Sequence, residues 1–165
     1  MKEITTDIFS RVAAMLENTG VVCIFGKRGY GKTTFARAVV RRVKKAKLAI
    51  DPLFEFSEIP RFAPTAAARN FLLVVDDCET FFRNAGADAL ADTLAARGRH
   101  IGVSIITTSR RPAEVSRLLT SQANAIVCFN TTERRDVEYL GWLIGDEAAA
   151  LLPTLPKYRF IVRFS

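Results

Sequence analysis

Short, uniformly apolar runs occur along this chain, and segments with helical periodicity separate them. A strand that is covered on both faces of a sheet shows no alternation of polar and apolar residues, so such runs predict interior strands. Such runs cover residues 21–25, 71–75 and 125–129. Residues 103–107, which include Ser104 and Thr107, are also a clear strand candidate, and weaker candidates cover 48–50 and 158–164. The pattern predicts a sheet that is buried on both sides.

Apolar residues recur at intervals of three and four between these runs, which predicts amphipathic helices. The first helix follows a capping run at 5–7 and is marked by Ile8, Val12 and Leu16. Further helices are predicted over about 32–46, 87–95, 113–120, 132–143 and 146–152. Strands that alternate with helices predict an α/β sandwich with a mostly parallel sheet, in which ligands bind beyond the carboxyl ends of the strands.

Length and composition indicate one globular domain. The chain has 165 residues, 49% of them apolar and 25% charged. We therefore expect a single domain over 1–165, with an N-terminal helical segment at 1–20 and a core at 21–165. The longest apolar runs have about five residues, whereas a membrane span needs roughly 20. The N-terminus also has no apolar signal core, so we expect a cytoplasmic protein.

Cysteine content and net charge narrow the possible ligands. The three cysteines are far apart and show no metal-ligand spacing, so we expect small buried hydrophobic residues and no structural zinc. The formal net charge is +7, which favours an anionic partner such as nucleotide, nucleic acid or an acidic surface. Charge alone does not choose among these partners.

A glycine-rich loop follows the first clear strand and matches the pattern G-x-x-x-x-G-K-[ST] in full. Its glycines allow a tight turn that points backbone N–H groups at phosphate oxygens, and the helix that follows adds its positive end. Lys32 is expected on the β- and γ-phosphates, Thr33 on Mg²⁺ and Thr34 on the α-phosphate. The candidate nucleotide contacts are Gly26, Lys27, Arg28, Gly29, Tyr30, Gly31, Lys32, Thr33 and Thr34.

Two carboxylates end the second clear strand. Asp76 is expected to contact Mg²⁺, and Asp77 is the candidate general base for the attacking water. Glu79 is close enough in sequence to compete with Asp77 for that role. An apolar run ending in two acids is weak evidence alone, but it gains meaning from the phosphate loop upstream.

The third clear strand has candidate residues at both ends. Thr108, Ser109 and Arg110 follow it, and a polar side chain there can sense the γ-phosphate or orient water. Arg97 and Arg99 precede it, with His100, and are too far along the sheet to reach their own nucleotide. They could act in a neighbouring subunit as arginine fingers, or be solvated cations at a helix end. The basic face of 37–47 is expected to be solvated, with a DNA- or subunit-facing stripe as the alternative.

The phosphate loop, the Asp-Asp strand end and the run Arg-Gly-Arg-His-Ile-Gly-Val-Ser-Ile-Ile-Thr-Thr-Ser-Arg-Arg-Pro at 97–112 resemble the FtsK/HerA superfamily of P-loop ATPases. The similarity covers roughly 21–164. It implies a three-layer P-loop NTPase fold of the ASCE type with strand order 5-1-4-3-2, ATP and Mg²⁺ as ligands, and a homo-oligomeric ring, usually a hexamer, that moves double-stranded DNA. The short chain most resembles genome-packaging ATPases of tailless, membrane-containing viruses. That similarity implies a capsid or portal-vertex partner and a location in the host cytoplasm or virion.

Two departures from the superfamily pattern concern hydrolysis. Asp77 stands where the superfamily usually has Glu, and Arg110 replaces a sensor Gln; an arginine cannot accept a hydrogen bond from water but can bind a phosphate oxygen. Two alternatives therefore stay open. One is a Zot-like phage assembly or secretion ATPase, although such proteins usually carry a membrane span. The other is a nucleotide-dependent switch with little turnover.

Overall fold

A six-stranded sheet organises the residues that the computed structural model describes, which are 2–53, 55–62, 69–81 and 97–165. The order is β2-β3-β4-β1-β5-β6. The strands are β1 Val21–Phe25, β2 Ala46–Ile50, β3 Phe71–Val75, β4 Ser104–Ser109, β5 Ala125–Cys128 and β6 Ile161–Phe164. The first five are parallel and read 5-1-4-3-2 from β5, as the family resemblance implied. The sheet differs in one detail, because β6 is added antiparallel beside β5.

Helices cover both faces of this sheet. The α-helices are α1 Lys2–Glu17, α2 Lys32–Val40, α3 Cys78–Phe81, α4 Arg117–Ser121, α5 Arg134–Ile144 and α6 Asp146–Leu151. Short 3₁₀ helices span Gly98–Ile101, Pro112–Glu114 and Leu152–Thr154. Val12 of α1 and Phe35 of α2 pack with Val22 and Ile24 on one face, and the helices after β4 pack on the other. The three-layer α/β fold predicted from the sequence is confirmed.

Four predicted element boundaries were wrong. The first helix begins at Lys2, so the capping run predicted at 5–7 lies inside it. The second helix ends at Val40 and not near 46, because the chain must turn to begin β2 at Ala46. The helix predicted over 113–120 is split, since extended backbone at Val115 separates the 3₁₀ turn from α4. The last strand starts at Ile161 and not at 158, where Tyr158 has a left-handed φ of 63°. The helix predicted over 87–95 lies outside the described residues.

The weak second strand and the predicted burial of the cysteines are both confirmed. β2 pairs with β3 at the edge of the sheet, and its partly exposed residues explain its weak apolar signal. Cys23, Cys78 and Cys128 are free and buried. Burial raises the pKa of Cys23 to about 12, so this thiol is inert at neutral pH.

The parallel strands give the sheet two chemically different edges. The carboxyl edge is where β1, β3 and β4 end, and the amino edge is where β2, β3 and β4 begin.

Elsewhere on the surface, Trp142 of α5 is 88% exposed. Across the described part of the chain, no helix combines the length and apolar character that a membrane crossing requires.

Candidate active site

The phosphate loop connects β1 to α2 at the carboxyl edge and has a backbone that only glycines adopt easily. Gly26, Gly29 and Gly31 have φ values of 145°, 79° and 115°. A Cβ on Gly26 would lie 2.6 Å from the Cβ of Phe129, and one on Gly31 would lie 2.9 Å from Cδ1 of Tyr158. Positive φ and close packing therefore both require glycine at 26 and 31, whereas nothing lies within 4 Å of a Cβ at Gly29.

Backbone hydrogen bonds fix this loop to the neighbouring strand ends. The Gly26 N–H donates to the carbonyl oxygen of Ser109 at 3.1 Å, and the Lys27 N–H donates to that of Asn130 at 2.7 Å. The side-chain amide of Asn130 in turn donates to the Pro153 carbonyl at 3.0 Å. The loop is thus held by the last residue of β4 and by a residue that follows β5.

The start of α2 leaves its first N–H groups available for an anion. Gly31 caps the helix without a side-chain hydrogen bond, so the phosphate-facing donors have no competing side-chain acceptor there. Lys32 is 6% exposed, and its Nζ donates to the Lys27 carbonyl at 3.1 Å. Burial lowers the pKa of Lys32, and the carboxylates of Asp77, Glu79 and Asp76 oppose that effect.

Thr108 joins the carboxylate of Asp76 to the backbone of Asp77 at the acidic strand end. Its hydroxyl donates to Oδ1 of Asp76 at 2.6 Å and accepts the N–H of Asp77 at 3.0 Å. Asp76 is 3% exposed, and burial raises its pKa to about 6 although the Thr108 hydrogen bond lowers it. Asp77 has a left-handed φ of 47°, which is an uncommon conformation for a residue other than glycine.

Arg110 faces both candidate bases. Its Nε lies 3.2 Å from Oε1 of Glu79 and 3.8 Å from Oδ1 of Asp77. Glu79 is 3% exposed, and its Oε2 has no hydrogen-bond partner in the described structure. The next residue, Arg111, lies 3.0 Å from Oδ2 of buried Asp136, which holds the segment after β4 against α5. Arg110 thus pairs with carboxylates in the position where the superfamily pattern has a glutamine.

The phosphate loop, the acidic strand end and Arg110 line one cavity of about 310 Å³. The residues that the chemistry uses are Lys32, Thr33, Thr34, Asp76, Asp77 and Arg110. A hydroxyl and a carboxylate are oxygen donors of the kind Mg²⁺ prefers, so the side chains of Thr33 and Asp76 fit that ion. The free helix terminus, the buried lysine and the glycine turn fit a triphosphate. Arg28 and Gly29 also line the cavity.

Several predicted site residues lie apart from this cavity. The Ser109 hydroxyl accepts the N–H of Arg111 at 3.0 Å, and it is Thr108 that contacts the carboxylate of Asp76. Arg97 and Arg99 are exposed beside the 3₁₀ turn that precedes β4, at the amino edge. β4 has six residues, each with a rise of about 3.3 Å. The length of this strand separates the two arginines from the nucleotide pocket of their own subunit.

Sequence reasoning missed two residues that shape the site. Tyr158 lines the cavity, and its N–H donates to the Tyr30 carbonyl at 3.0 Å. Asn130 holds the loop as described above. Asn130 had a readable signal, since it is a polar residue directly after an apolar strand. Tyr158 had none, because it comes from a distant turn and acts through its position.

A glycine loop between a strand and a helix, a buried lysine in that loop and an acidic end on a nearby strand define a P-loop NTPase. Residues 4–111 match the family model described as novel STAND NTPase 3, and the chain belongs to that family. No curated protein sequence is significantly similar to the chain.

Solved structures with this fold include viral, conjugation and secretion ATPases. The genome-packaging NTPase B204 from Sulfolobus turreted icosahedral virus 2, in complex with ATP-γS, is 18% identical with a TM-score of 0.71, over 89% of this chain and 93% of that one. The pCW3 conjugation coupling protein TcpA is 13% identical with a TM-score of 0.68, over 90% and 58%.

The cytoplasmic domain of the Type VII secretion ATPase EccC from Thermomonospora curvata is 13% identical with a TM-score of 0.67, over 88% of this chain and 24% of that one. The resemblance to FtsK/HerA-type ATPases that the sequence indicates is therefore confirmed at the level of the fold.

Proposed function

We propose that this chain is a Mg²⁺-dependent ATPase that assembles into a ring, as a hexamer, and translocates or packages double-stranded DNA. The observation that carries the enzymatic part is the cavity in which the phosphate loop, Lys32, Asp76 and Asp77 meet. The DNA part is supported by the activities in the names of structural neighbours, which include a genome-packaging NTPase and a conjugation coupling protein.

The residues divide the hydrolytic step among them. Lys32 leaves the Lys27 carbonyl and binds the β- and γ-phosphate oxygens, while the loop N–H groups hold the phosphates in place. Thr33 and Asp76 would hold Mg²⁺, which would neutralise charge on the phosphates. The oxygen of a water attacks the γ-phosphorus, the bond from that phosphorus to the β–γ bridging oxygen breaks, and the water's proton passes to Asp77.

The ring part of the proposal gives the amino-edge arginines a role. Arg97 or Arg99 would reach the nucleotide of a neighbouring subunit and stabilise the charge that develops during phosphoryl transfer. Both side chains are exposed, and neither forms an ion pair within the described residues, so both are free to do so. In this proposal 1–165 acts as one ATPase unit, with viral genome packaging, a capsid or portal-vertex partner and a cytoplasmic or virion location as its setting.

Arg110 favours a second candidate function, a nucleotide-dependent switch with little turnover. Its guanidinium lies within 4 Å of both candidate bases, where it would compete for the lone pairs that a base needs. In that function, a bound nucleotide draws Arg110 from Glu79 and Asp77 to a phosphate oxygen, and the segment after β4 moves with it.

ATP hydrolysis with and without double-stranded DNA separates the two functions, measured on the unmodified chain, Lys32→Ala and Asp77→Asn. A motor hydrolyses ATP, does so faster with DNA and loses hydrolysis in both variants. If Asp77→Asn keeps its rate while Glu79→Gln loses it, Glu79 is the base. Tight nucleotide binding without turnover, with or without DNA, would contradict the motor and leave the switch.

A further inference from the structure

We propose that the amino edge of β2, β3 and β4 is a binding surface for the phosphate backbone of duplex nucleic acid. This proposal rests on the proposed function, because it assigns a DNA contact to the motor. Its test measures binding and does not need hydrolysis. Five exposed cations at this edge, which we call the basic edge, carry the proposal. They are Arg41, Lys44, Arg69, Arg97 and Arg99, and of the last two only the one that does not reach a neighbouring subunit's nucleotide would contact the duplex in a ring.

The fold gathers these cations from three separate segments. Arg41 ends α2, and Lys44 lies in the turn that leads to β2. The neighbouring Lys45 reaches across the edge, and its Nζ donates to the Gly102 carbonyl at 3.1 Å and to the Ser104 hydroxyl at 3.0 Å. That contact joins the turn before β2 to the turn before β4.

The remaining segment lies between them. The N–H of Asn70, next to Arg69, donates to the carbonyl of Ile101 at 2.9 Å. The Val103 N–H donates to the Gly98 carbonyl at 2.8 Å, which folds the turn carrying Arg97 and Arg99 back onto the start of β4. The segments that carry the five cations therefore meet at one edge of the sheet, although they come from distant parts of the sequence.

The charges of the basic edge are not neutralised within the described structure. None of its five side chains forms an ion pair among the described residues. The carboxylates near these cations include Glu17, Glu55 and Glu58; that of Glu17 accepts the backbone N–H of Lys44, and that of Glu55 pairs with Arg37. Five like charges on one edge repel each other, and a bound polyanion removes that repulsion.

The spacing of the edge suits a nucleic-acid backbone. Neighbouring strands are about 4.8 Å apart, so the starts of β2 to β4 span about 10 Å. A duplex carries one phosphate charge per about 1.7 Å of its axis and offers several phosphates over that length. Side-chain amides of Asn18 and Asn70 beside the cations supply neutral hydrogen-bond donors of the kind that also contact phosphates.

A protein partner fits this surface less well. Protein interfaces have an apolar core, often with exposed aromatic residues. The large exposed hydrophobic side chains of the described residues belong to other segments, and they are Leu53, Leu118, Trp142, Leu151 and Tyr158. The basic edge thus offers charge and hydrogen bonds without an apolar centre, which is the composition of a nucleic-acid contact.

The test measures binding of a fluorescent mixed-sequence duplex of about 20 base pairs by anisotropy, without nucleotide. The variant is Arg41→Gln/Lys44→Gln/Arg69→Gln, which spares the two finger candidates. We expect its affinity to fall about tenfold or more, and the slope of log K against log salt to become shallower by about 2.7, since each phosphate contact contributes about 0.9.

The control variant removes the same charge elsewhere. Arg117→Gln/Arg134→Gln/Arg135→Gln changes three exposed cations of α4 and α5 and should keep the affinity and slope of the unmodified chain. Equal losses in both variants would overturn the proposal, because they would show an effect of net charge alone. Displacement of the duplex by polyglutamate as readily as by unlabelled duplex would also overturn it.

Hydrolysis measured on the same samples distinguishes a failure of this proposal from a failure of the proposed motor function. The triple variant should keep its DNA-independent hydrolysis and lose stimulation by DNA. Binding that depends on the basic edge in a chain without hydrolysis supports the surface and contradicts the motor. Hydrolysis with duplex binding that is insensitive to the basic edge contradicts the surface alone.

Discussion

Charged side chains have opposite environments at the carboxyl and amino edges of the sheet. At the carboxyl edge Lys32, Asp76 and Glu79 are buried, and each side chain has a hydrogen bond or ion pair. At the amino edge the cations of the basic edge are exposed and form no ion pairs among the described residues. Burial makes a charge costly unless it is paired, so the first edge suits chemistry, while solvated charges suit contact with a large polyanion.

The largest expected effect separates chemistry from stability at the carboxyl edge. Asp76→Asn keeps an oxygen for the Thr108 hydroxyl but removes the charge that holds Mg²⁺, so hydrolysis should fall at least about a hundredfold. The free energy of unfolding should rise, by up to about 3 kcal/mol at pH 7, because burial raises the pKa of Asp76 from 3.8 to about 6. Steady-state hydrolysis and urea denaturation measure the two effects.

Glu147→Gln, an exposed carboxylate on α6, is the control for Asp76→Asn and should change neither quantity. Duplex binding without nucleotide should also be unchanged in Asp76→Asn, since the basic edge lies at the other end of the strands. A loss of stability in Asp76→Asn would show that the ionised carboxylate stabilises the fold, against this account.

The next effect concerns the shape of the phosphate loop. Gly31→Ala places a Cβ 2.9 Å from Tyr158 at a φ of 115°, so we expect strain of about 1 to 3 kcal/mol and at least tenfold weaker ATP binding. Gly29→Ala is the matched control, because its φ is also positive but its Cβ meets nothing within 4 Å. Calorimetric titration with ATP compares them, and equal losses would mean that backbone conformation, not the Tyr158 contact, sets the requirement.

A smaller effect is expected from the Thr108 hydroxyl, which joins the Asp76 carboxylate to the Asp77 backbone. Thr108→Val removes the hydrogen bonds to Asp76 and Asp77 with little change of shape, so kcat should fall about tenfold. The low-pH limb of the rate profile should move to higher pH, since the Thr108 hydrogen bond lowers the pKa of Asp76. Thr108→Ser should restore both, and a lower kcat with an unshifted profile would contradict this positioning role.

The smallest effect is a pH dependence of stability. Asp76 has a pKa of about 6 in the fold against an ordinary 3.8, so between these values the folded chain binds more protons than the unfolded chain. Its contribution to the free energy of unfolding therefore decreases as the pH rises. The stability gain of Asp76→Asn should be about 1 kcal/mol smaller at pH 5 than at pH 7, as measured by urea denaturation.

The sequence was sufficient to predict those elements whose burial or turn in the fold is visible as a local pattern of residues. Apolar runs predicted the interior strands because these strands are buried on both faces, and the glycine loop predicted its own turn between β1 and α2. Patterns could not predict the end of α2, since basic residues continue past Val40 into the turn without a breaker.

The contacts that complete the site were also beyond sequence reasoning. Thr108 and Ser109 are neighbours with similar side chains. Side chains alternate between the two faces of strand β4, and this alternation decides that Thr108 contacts Asp76 and Asp77. The pairing of Arg110 with Glu79 depends on how β3 and β4 align, and the basic edge depends on three turns that meet only in the folded chain.

Trp142 has a practical consequence for the ring proposal. It is the single tryptophan of the chain and is 88% exposed on α5. The emission spectrum of an indole moves to shorter wavelength when water leaves its surroundings, so the isolated subunit should emit at the long-wavelength limit. The molecule therefore carries its own optical reporter: titrating protein concentration or nucleotide while following that emission would reveal whether neighbouring subunits cover this face, without any attached dye.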